Sequence, residues 1–308
     1  MSLIYNATFD SQTRVLSLLD KAGNVISSCE VPSKGDPLTL TATADNSSVK
    51  LTETGKVDNT YEVNTGSSWV PYTFGTVINL NKGQSCKWRC TSHPTTFDGY
   101  TTYVKFVMTG SIEASGEVYS MLSSNLSDVT TLKGYDYAFI RLFENCTSLI
   151  KAPELPATNL ASNCYSFMFE GCKALTQAPQ LPATTLSEYC YLSMFAGCKA
   201  LTQAPQLPAT NLASNCYSSM FSGCTALTQA PQLPATTLAS NCYYSMFNGC
   251  SKLDEVHISA TETAENALGS WLYRVSSKGY FYCKPNATIF PRNSASGIPS
   301  GWVRLDNN

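Results

Sequence analysis

The sequence predicts an α+β protein of several modules, an all-β sandwich followed by a short α/β solenoid of tandem repeats with terminal caps. Three observations carry this expectation. One 26-residue unit is written four times in the middle of the chain, starting at Cys146, Cys172, Cys198 and Cys224, with a blurred copy on either side. Each unit divides into a proline-containing extended half and a half with helical spacing. The region before the repeats consists instead of short alternating runs rich in Thr, Val, Tyr and Trp. A fixed period of roughly 20–50 residues marks units that bury their apolar faces by stacking on one another. The chain of 308 residues divides at 1–35, 36–112, 113–255 and 256–308.

The first module, 1–35, reads as a β-hairpin. Residues Arg14 to Leu19 alternate, Asp20 to Asn24 turn, and Val25 to Val31 return. Such a short element ahead of a larger domain is a candidate attachment module, or else the first two strands of its neighbour. In residues 36–112, Pro37 to Ala42 and Thr101 to Met108 alternate, and Asp45-Asn-Ser47 and Asn81-Lys-Gly83 punctuate, which predicts an antiparallel sandwich. Trp69, Tyr72, Phe74 and Trp88 are either its aromatic core, the favoured reading, or a sugar-stacking platform.

The unit from Cys172 reads CKALTQAPQLPATTLSEYCYLSMFAG. Its extended half begins at Leu175-Thr-Gln-Ala178; Pro179 and Pro182 then remove backbone donors and hold the chain extended. Leu175, Ala178, Leu181 and Leu186 are the expected inward positions. A helix is expected next. Asn159, Thr185, Asn211 and Thr237 form a column of N-cap residues, and Thr185-Leu-Ser-Glu188 makes a capping box. Asn145, Gly171, Gly197, Gly223 and Gly249 tolerate the left-handed conformation that closes a helix. Between these marks Leu186, Cys190, Met194 and Cys198 recur near helical spacing, widened by Tyr191 and Phe195.

The cysteines follow the repeat. Cys146, Cys172, Cys198, Cys224 and Cys250 form one column; Cys164, Cys190, Cys216 and Cys242 form another, which becomes Ala138 and Leu268 in the flanking copies. A slot that accepts Ala, Cys or Leu is an apolar core position, and free cysteine behaves as a small buried hydrophobe. The total of 13 is odd, so at least one thiol is unpaired.

Composition narrows function. Charged residues make up 14 % of the chain and the net charge is −2, which gives no field for holding nucleic acid. No apolar run approaches the roughly 20 residues that span a bilayer, so membrane insertion is not expected. Only two histidines occur, His93 and His257, in different modules, and Cys86-Lys-Trp-Arg-Cys90 lacks the spacing of a zinc or redox motif. No catalytic residue, metal site or cofactor is predicted. The candidate binding residues form one repeated strand position, Lys151, Gln177, Gln203, Gln229 and Glu255, beside a second row of Glu154, Gln180, Gln206 and Gln232. An outward row of amides can hydrogen-bond a glycan or a protein edge. The other reading, favoured on the sequence, is that duplication copied idle residues that solvate a surface.

The phrase LPATTLASNCYYSMFNGC resembles the BspA-like leucine-rich repeats of surface proteins of gut bacteria and of their tailed phages. YEVNTGSSWVPYTFGTVINLNKGQSCKWR resembles the Ig-like β-domain that precedes such repeats, VMTGSIEASGEVYSML the segment leading into them, and KGYFYCKPNATIFPRNSASGIPSGWV their closing cap. The resemblance implies adhesion or partner binding without shared catalytic residues. It leads to the expectation of a non-catalytic tailed-phage virion protein, a fibre or capsid decoration. The N-terminal module would hold a virion or cell-surface protein, and the repeats would face host surface glycan or protein. The first residues do not read as a signal peptide, which favours the virion over the alternative, a bacterial surface adhesin. A glycan-processing enzyme is the second alternative, and homo-oligomerisation is compatible with the sequence.

Overall fold

The structure, a computed structural model, describes residues 6–10, 15–19 and 25–30 as backbone strands, and 35–92, 100–122, 130–292, 294 and 296–306 with their side chains. It is nearly all-β, with about 2 % of residues helical and 28 % in strands. This corrects the expected fold class: there is no α/β solenoid with a helix in each unit.

Strands β1 (Asn6–Asp10), β2 (Val15–Leu19) and β3 (Val25–Glu30) form an antiparallel sheet in that order. The turn expected at Asp20 to Asn24 lies outside the described residues. Next come β4 (Leu38–Ala42), β5 (Ser47–Thr54), β6 (Tyr61–Asn64), β7 (Val70–Pro71), β8 (Ile78–Leu80), β9 (Ser85–Cys90), β10 (Tyr103–Thr109) and β11 (Ile112–Ser115). They make two antiparallel sheets, β10-β5-β8 and β11-β4-β9-β6-β7. Period-two alternation sends Leu38, Leu40 and Ala42 inward from β4, and Val49 and Leu51 from β5. Trp88 of β9 meets Phe106 of β10 edge-on at 5.1 Å, so the two sheets share one core. The first repeat adds β12 (Leu149–Lys151) in parallel beside β11, which makes the larger sheet continuous with the repeats.

The half of each unit expected to be helical is a ribbon of consecutive four-residue turns. In the unit from Cys172, Leu192, Met194, Ala196 and Cys198 donate their N–H groups to the carbonyls three residues back. The alternating groups, Tyr189, Tyr191, Ser193, Phe195 and Gly197, donate instead to carbonyls of the next unit, at 2.7–3.2 Å. No bond reaches four residues back, as a helix would need. The reason is written in the torsions. Tyr189, Ser193 and Gly197 have φ of 58°, 52° and 74°. The same four-residue spacing of left-handed residues recurs at Asn163, Phe167 and Gly171, at Asn215, Ser219 and Gly223, and at Asn241, Ser245 and Gly249. Each occupies the third position of a turn, where type II geometry requires positive φ. A left-handed residue every fourth position cannot continue a right-handed helix, but it aims alternate N–H groups along the stack.

Stacking then satisfies backbone and core together. Phe143, Phe169, Phe195, Phe221 and Phe247 form a column of near-parallel rings with successive centroids 5.5–5.7 Å apart. Tyr165, Tyr191, Tyr217 and Tyr243 form a second column at 5.7–6.0 Å. All nine are at most 1 % exposed. Such aromatic pairs contribute about 0.5–1.5 kcal/mol each beyond area burial. Cys172, Cys198, Cys224 and Cys250 donate S–H to the carbonyls of Phe143, Phe169, Phe195 and Phe221 at 3.0–3.1 Å.

The extended halves touch their neighbours through single bridges, such as Gln177 with Gln203 and Asn159 with Thr185. The prolines leave too few donors for longer ladders. The stack ends at β13 (Thr237–Leu238), paired with β15 (Glu262–Thr263), and at a parallel sheet of β14 (Glu255–His257), β16 (Gly279–Cys283) and β17 (Trp302–Asp306). Trp271, fully buried, lies 6.4 Å from both Tyr243 and Phe247 and so terminates both ring columns. Phe281 and Phe290 pack against its far side.

Candidate binding face

The extended halves lie side by side and carry the predicted residues as a row. Lys151, Gln177, Gln203 and Gln229 are exposed and Glu255 is half-buried. Parallel bridges set Gln177 beside Gln203 and Gln229 beside Glu255, and Lys151 sits beside Glu113 of β11. The second row, Glu154, Gln180, Gln206 and Gln232, is exposed too. The local sequence explains the direction. Leu175 and Leu181 are buried anchors on either side of Gln177-Ala-Pro-Gln180. Ala178 and Pro179 form the half-buried floor between the two glutamines.

Shallow grooves run between the rows. One of about 440 Å³ is lined by Lys151, Glu154, Gln177 and Gln180 above an Ala152, Ala178 and proline floor. Another of about 400 Å³ lies between Gln203, Gln206, Gln229 and Gln232 and ends at Glu255 and His257. Each amide offers two donors and an acceptor, so the face presents uncharged, two-way hydrogen-bonding groups at the spacing of the stack.

At the C-terminal end the chemistry changes. Glu255 Oε1 lies 2.8 Å from His257 Nε2, and Gln229 Nε2 donates to Glu255 Oε2 at 3.3 Å. The His257 ring stacks on Tyr282 with centroids 4.1 Å apart and planes 6° off parallel. Register places Tyr280 beside Glu255 and Tyr282 beside His257. Tyr280 is 51 % exposed. Sequence reasoning took Glu255 and missed His257, Tyr280 and Tyr282. The alternation Tyr280-Phe281-Tyr282, with Phe281 buried between two outward tyrosines, was the available signal.

Elsewhere the candidate chemistries dissolve into structure. Trp88 is fully buried, and Tyr72 and Phe74 pack against the core, so they are core residues rather than a sugar platform. Tyr72 Oη accepts from the Leu51 N–H at 2.9 Å and donates to the Thr76 carbonyl at 2.6 Å. Trp69 lies beneath the Arg89 guanidinium at 4.3 Å. Every cysteine whose side chain is described is buried and unpaired. Burial pushes the thiols of Cys190, Cys198, Cys242 and Cys250 up to about 12, so they stay protonated and are not nucleophiles. His93 lies outside the described residues. Among the described residues no group of three or more His, Cys, Asp or Glu could hold a metal ion, and no helix is long and apolar enough to cross a membrane.

Two carboxylates come near each other on the turn ribbon, Glu144 and Glu170. Burial raises Glu170 above the usual carboxylate range, the Glu144 charge adds to this, and Arg141 opposes it. Glu144 is itself bound by Lys105, at 3.0 Å, and by Arg141. Arg141 in turn sits on the Phe167 ring at 4.2 Å. This cluster ties β10 to the blurred leading copy and, through it, to the first unit.

Compared with known proteins, the chain matches no protein-family model, no curated protein and no solved structure.

Proposed function

We propose that this is a non-catalytic binding protein that presents the glutamine face of its stacked units to surface material. The observation that carries this reading is the pair of in-register amide rows flanking grooves of about 400 and 440 Å³. Backbone bonds between units and buried ring columns hold those rows rigidly, so little ordering entropy is lost when a ligand docks. The resemblance of LPATTLASNCYYSMFNGC to BspA-like repeats supports adhesion as the role. The β1–β3 sheet is the attachment element in this reading. Unpaired, protonated cysteines suit folding in a reducing compartment. Virion proteins are made in such a compartment, and this supports a tailed-phage virion as the setting over a secreted adhesin.

The test is a face-blocking variant. Gln203→Lys with Gln229→Lys places two cations on the amide row without touching the core. Binding of the labelled full chain to a panel of bacterial and host-cell surfaces is read by flow cytometry, with thermal unfolding as the folding check. The double variant should lose at least tenfold in binding to any surface the wild type marks, with unfolding unchanged. Undiminished binding would show that this face is not the one used.

A further inference from the structure

The repeat is nearly invariant on this face until its last strands, and the change there is chemical. In the extended halves from Leu149 to Gln232 the face carries amides, a few charges, alanine and proline, with no aromatic residue. At β14 and β16 the outward positions become Glu255, His257, Tyr280 and Tyr282. Glu255 and His257 hold repeat positions with changed residues, and Tyr280 and Tyr282 lie beyond the period, so copying of the unit does not account for this chemistry.

Their arrangement is specific. Tyr280 projects half of its surface into solvent in a small parallel sheet. It stands 6.5 Å from the Tyr282 ring, which is itself braced by the near-coplanar His257 at 4.1 Å. On the repeat side the same strand offers the Glu255 carboxylate, oriented by His257 on one oxygen and Gln229 on the other. The groove of about 400 Å³ among Gln203, Gln206, Gln229 and Gln232 is also lined by Glu255 and His257. An exposed, braced aromatic surface beside a fixed carboxylate and planar amides matches one ligand chemistry well. A pyranose has an apolar C–H face for the ring and peripheral hydroxyls that both donate and accept. A highly charged ligand finds no concentrated countercharge here, since Glu255 and His257 are the only acid and base among the residues lining the groove.

We infer that the C-terminal end of the face is a saccharide-binding subsite: Tyr280 and the Tyr282–His257 stack carry a sugar ring, and Glu255 and Gln229 take its hydroxyls. The following sugars of a neutral chain run into the groove between the amide rows. The inference rests on the proposed binding role of this face and names its ligand class.

The test uses the full chain and neutral oligosaccharides of glucose, galactose, mannose and N-acetylglucosamine, read by saturation-transfer NMR and titration calorimetry. At least one series should bind, with affinity rising from monosaccharide to short oligomer as the groove fills. Tyr280→Ala and Tyr282→Ala should each weaken it at least tenfold, while Lys56→Ala, exposed in the loop after β5 of the sandwich, leaves it unchanged. Tyr282→Phe, which keeps the stack, should retain affinity and so separates loss of the platform from loss of fold. No binding by any oligosaccharide would overturn the inference, as would binding indifferent to both alanine variants. If the face-blocking lysine variant still abolishes attachment to cells in that case, the binding role stands and only the saccharide assignment falls. If attachment survives both sets of variants, the role of the face fails with it.

Discussion

The turn ribbon and a helix make opposite demands on Ser219, and comparing glycine with alanine there separates them. Ser219 has φ of 54°, between the left-handed Asn215 and Gly223. Holding a residue with a Cβ in that region costs about 1–2 kcal/mol. Glycine escapes this cost but loses about 0.5–1 kcal/mol more backbone entropy on folding. The net is roughly 0.5–1 kcal/mol in favour of Ser219→Gly over Ser219→Ala. In a helix interior the order is reversed, with alanine favoured by about 1 kcal/mol. Both variants lack the serine hydroxyl, so its loss cancels in the comparison. Thermal and urea unfolding of the two, followed by circular dichroism and tryptophan fluorescence, should put glycine ahead by about 1–3 °C. Ser193 and Ser245, at φ of 52°, repeat the experiment in the neighbouring units. Alanine ahead of glycine at all three sites would mean that the left-handed ribbon is wrong.

The buried thiols predict alkaline instability. An unfolded thiol titrates near about 8.5, whereas Cys190, Cys198, Cys242 and Cys250 are held up to about 12 by burial. Between those values the folded state binds more protons than the unfolded one, so stability falls as pH rises. The urea midpoint should therefore decline from pH 8.5 upward, less steeply in a Cys190→Ala, Cys216→Ala double variant, and a flat profile to pH 11 would contradict the buried ladder. Trp271→Ala should remove about 3–5 kcal/mol from the C-terminal end, because Trp271 closes both ring columns. Hydrogen exchange should accelerate at Asn241 to Gly249 and little at Asn163 to Gly171; equal acceleration in both would refute the end-closing role.

The inward columns were legible in the sequence because burial repeats with the unit. Leu175, Leu181, Met194 and Phe195 are all at most 3 % exposed, whereas Ala178 and Leu186, also expected inward, are only half-buried. The interchange of Cys with Ala138 and Leu268 likewise marked an apolar slot, and the structure keeps those cysteines buried and unpaired. The helix was misread for a geometric reason. A ribbon of four-residue turns buries residues at a period of four, close enough to 3.6 that Leu186, Cys190, Met194 and Cys198 satisfy a helical stripe equally well. The distinguishing marks were the other columns. Asn163, Asn215 and Asn241 precede the glycines by eight residues, and Asn and Gly are the residues that the third position of a type II turn favours. The middle column, Phe167, Ser193, Ser219 and Ser245, carries no such signal, and bonding between units imposes its conformation. On the face, Lys151 to Glu255 could be aligned by counting 26. Tyr280 and Tyr282 could not, because the segment after Glu255 abandons the period and only the parallel register of β14 and β16 sets them beside Glu255 and His257.

The same construction ties rigidity to presentation. A helix satisfies its backbone internally and needs its neighbours only for side-chain packing. Here every second N–H of the ribbon is satisfied only by the next unit, as from Tyr191 to Cys216 and from Phe195 to Met220. Moving one unit relative to the next would therefore strip several buried backbone bonds at once, each costing about 1–3 kcal/mol when left unmade. The extended halves cannot drift independently of the ribbon, since Leu175 and Leu181 are anchored in the same core as Phe195. The spacing of the amide rows is thus fixed by bonds on the opposite side of the stack. That arrangement suits a ligand with its own repeating hydroxyls, which gains from several modest contacts only when they are held in step.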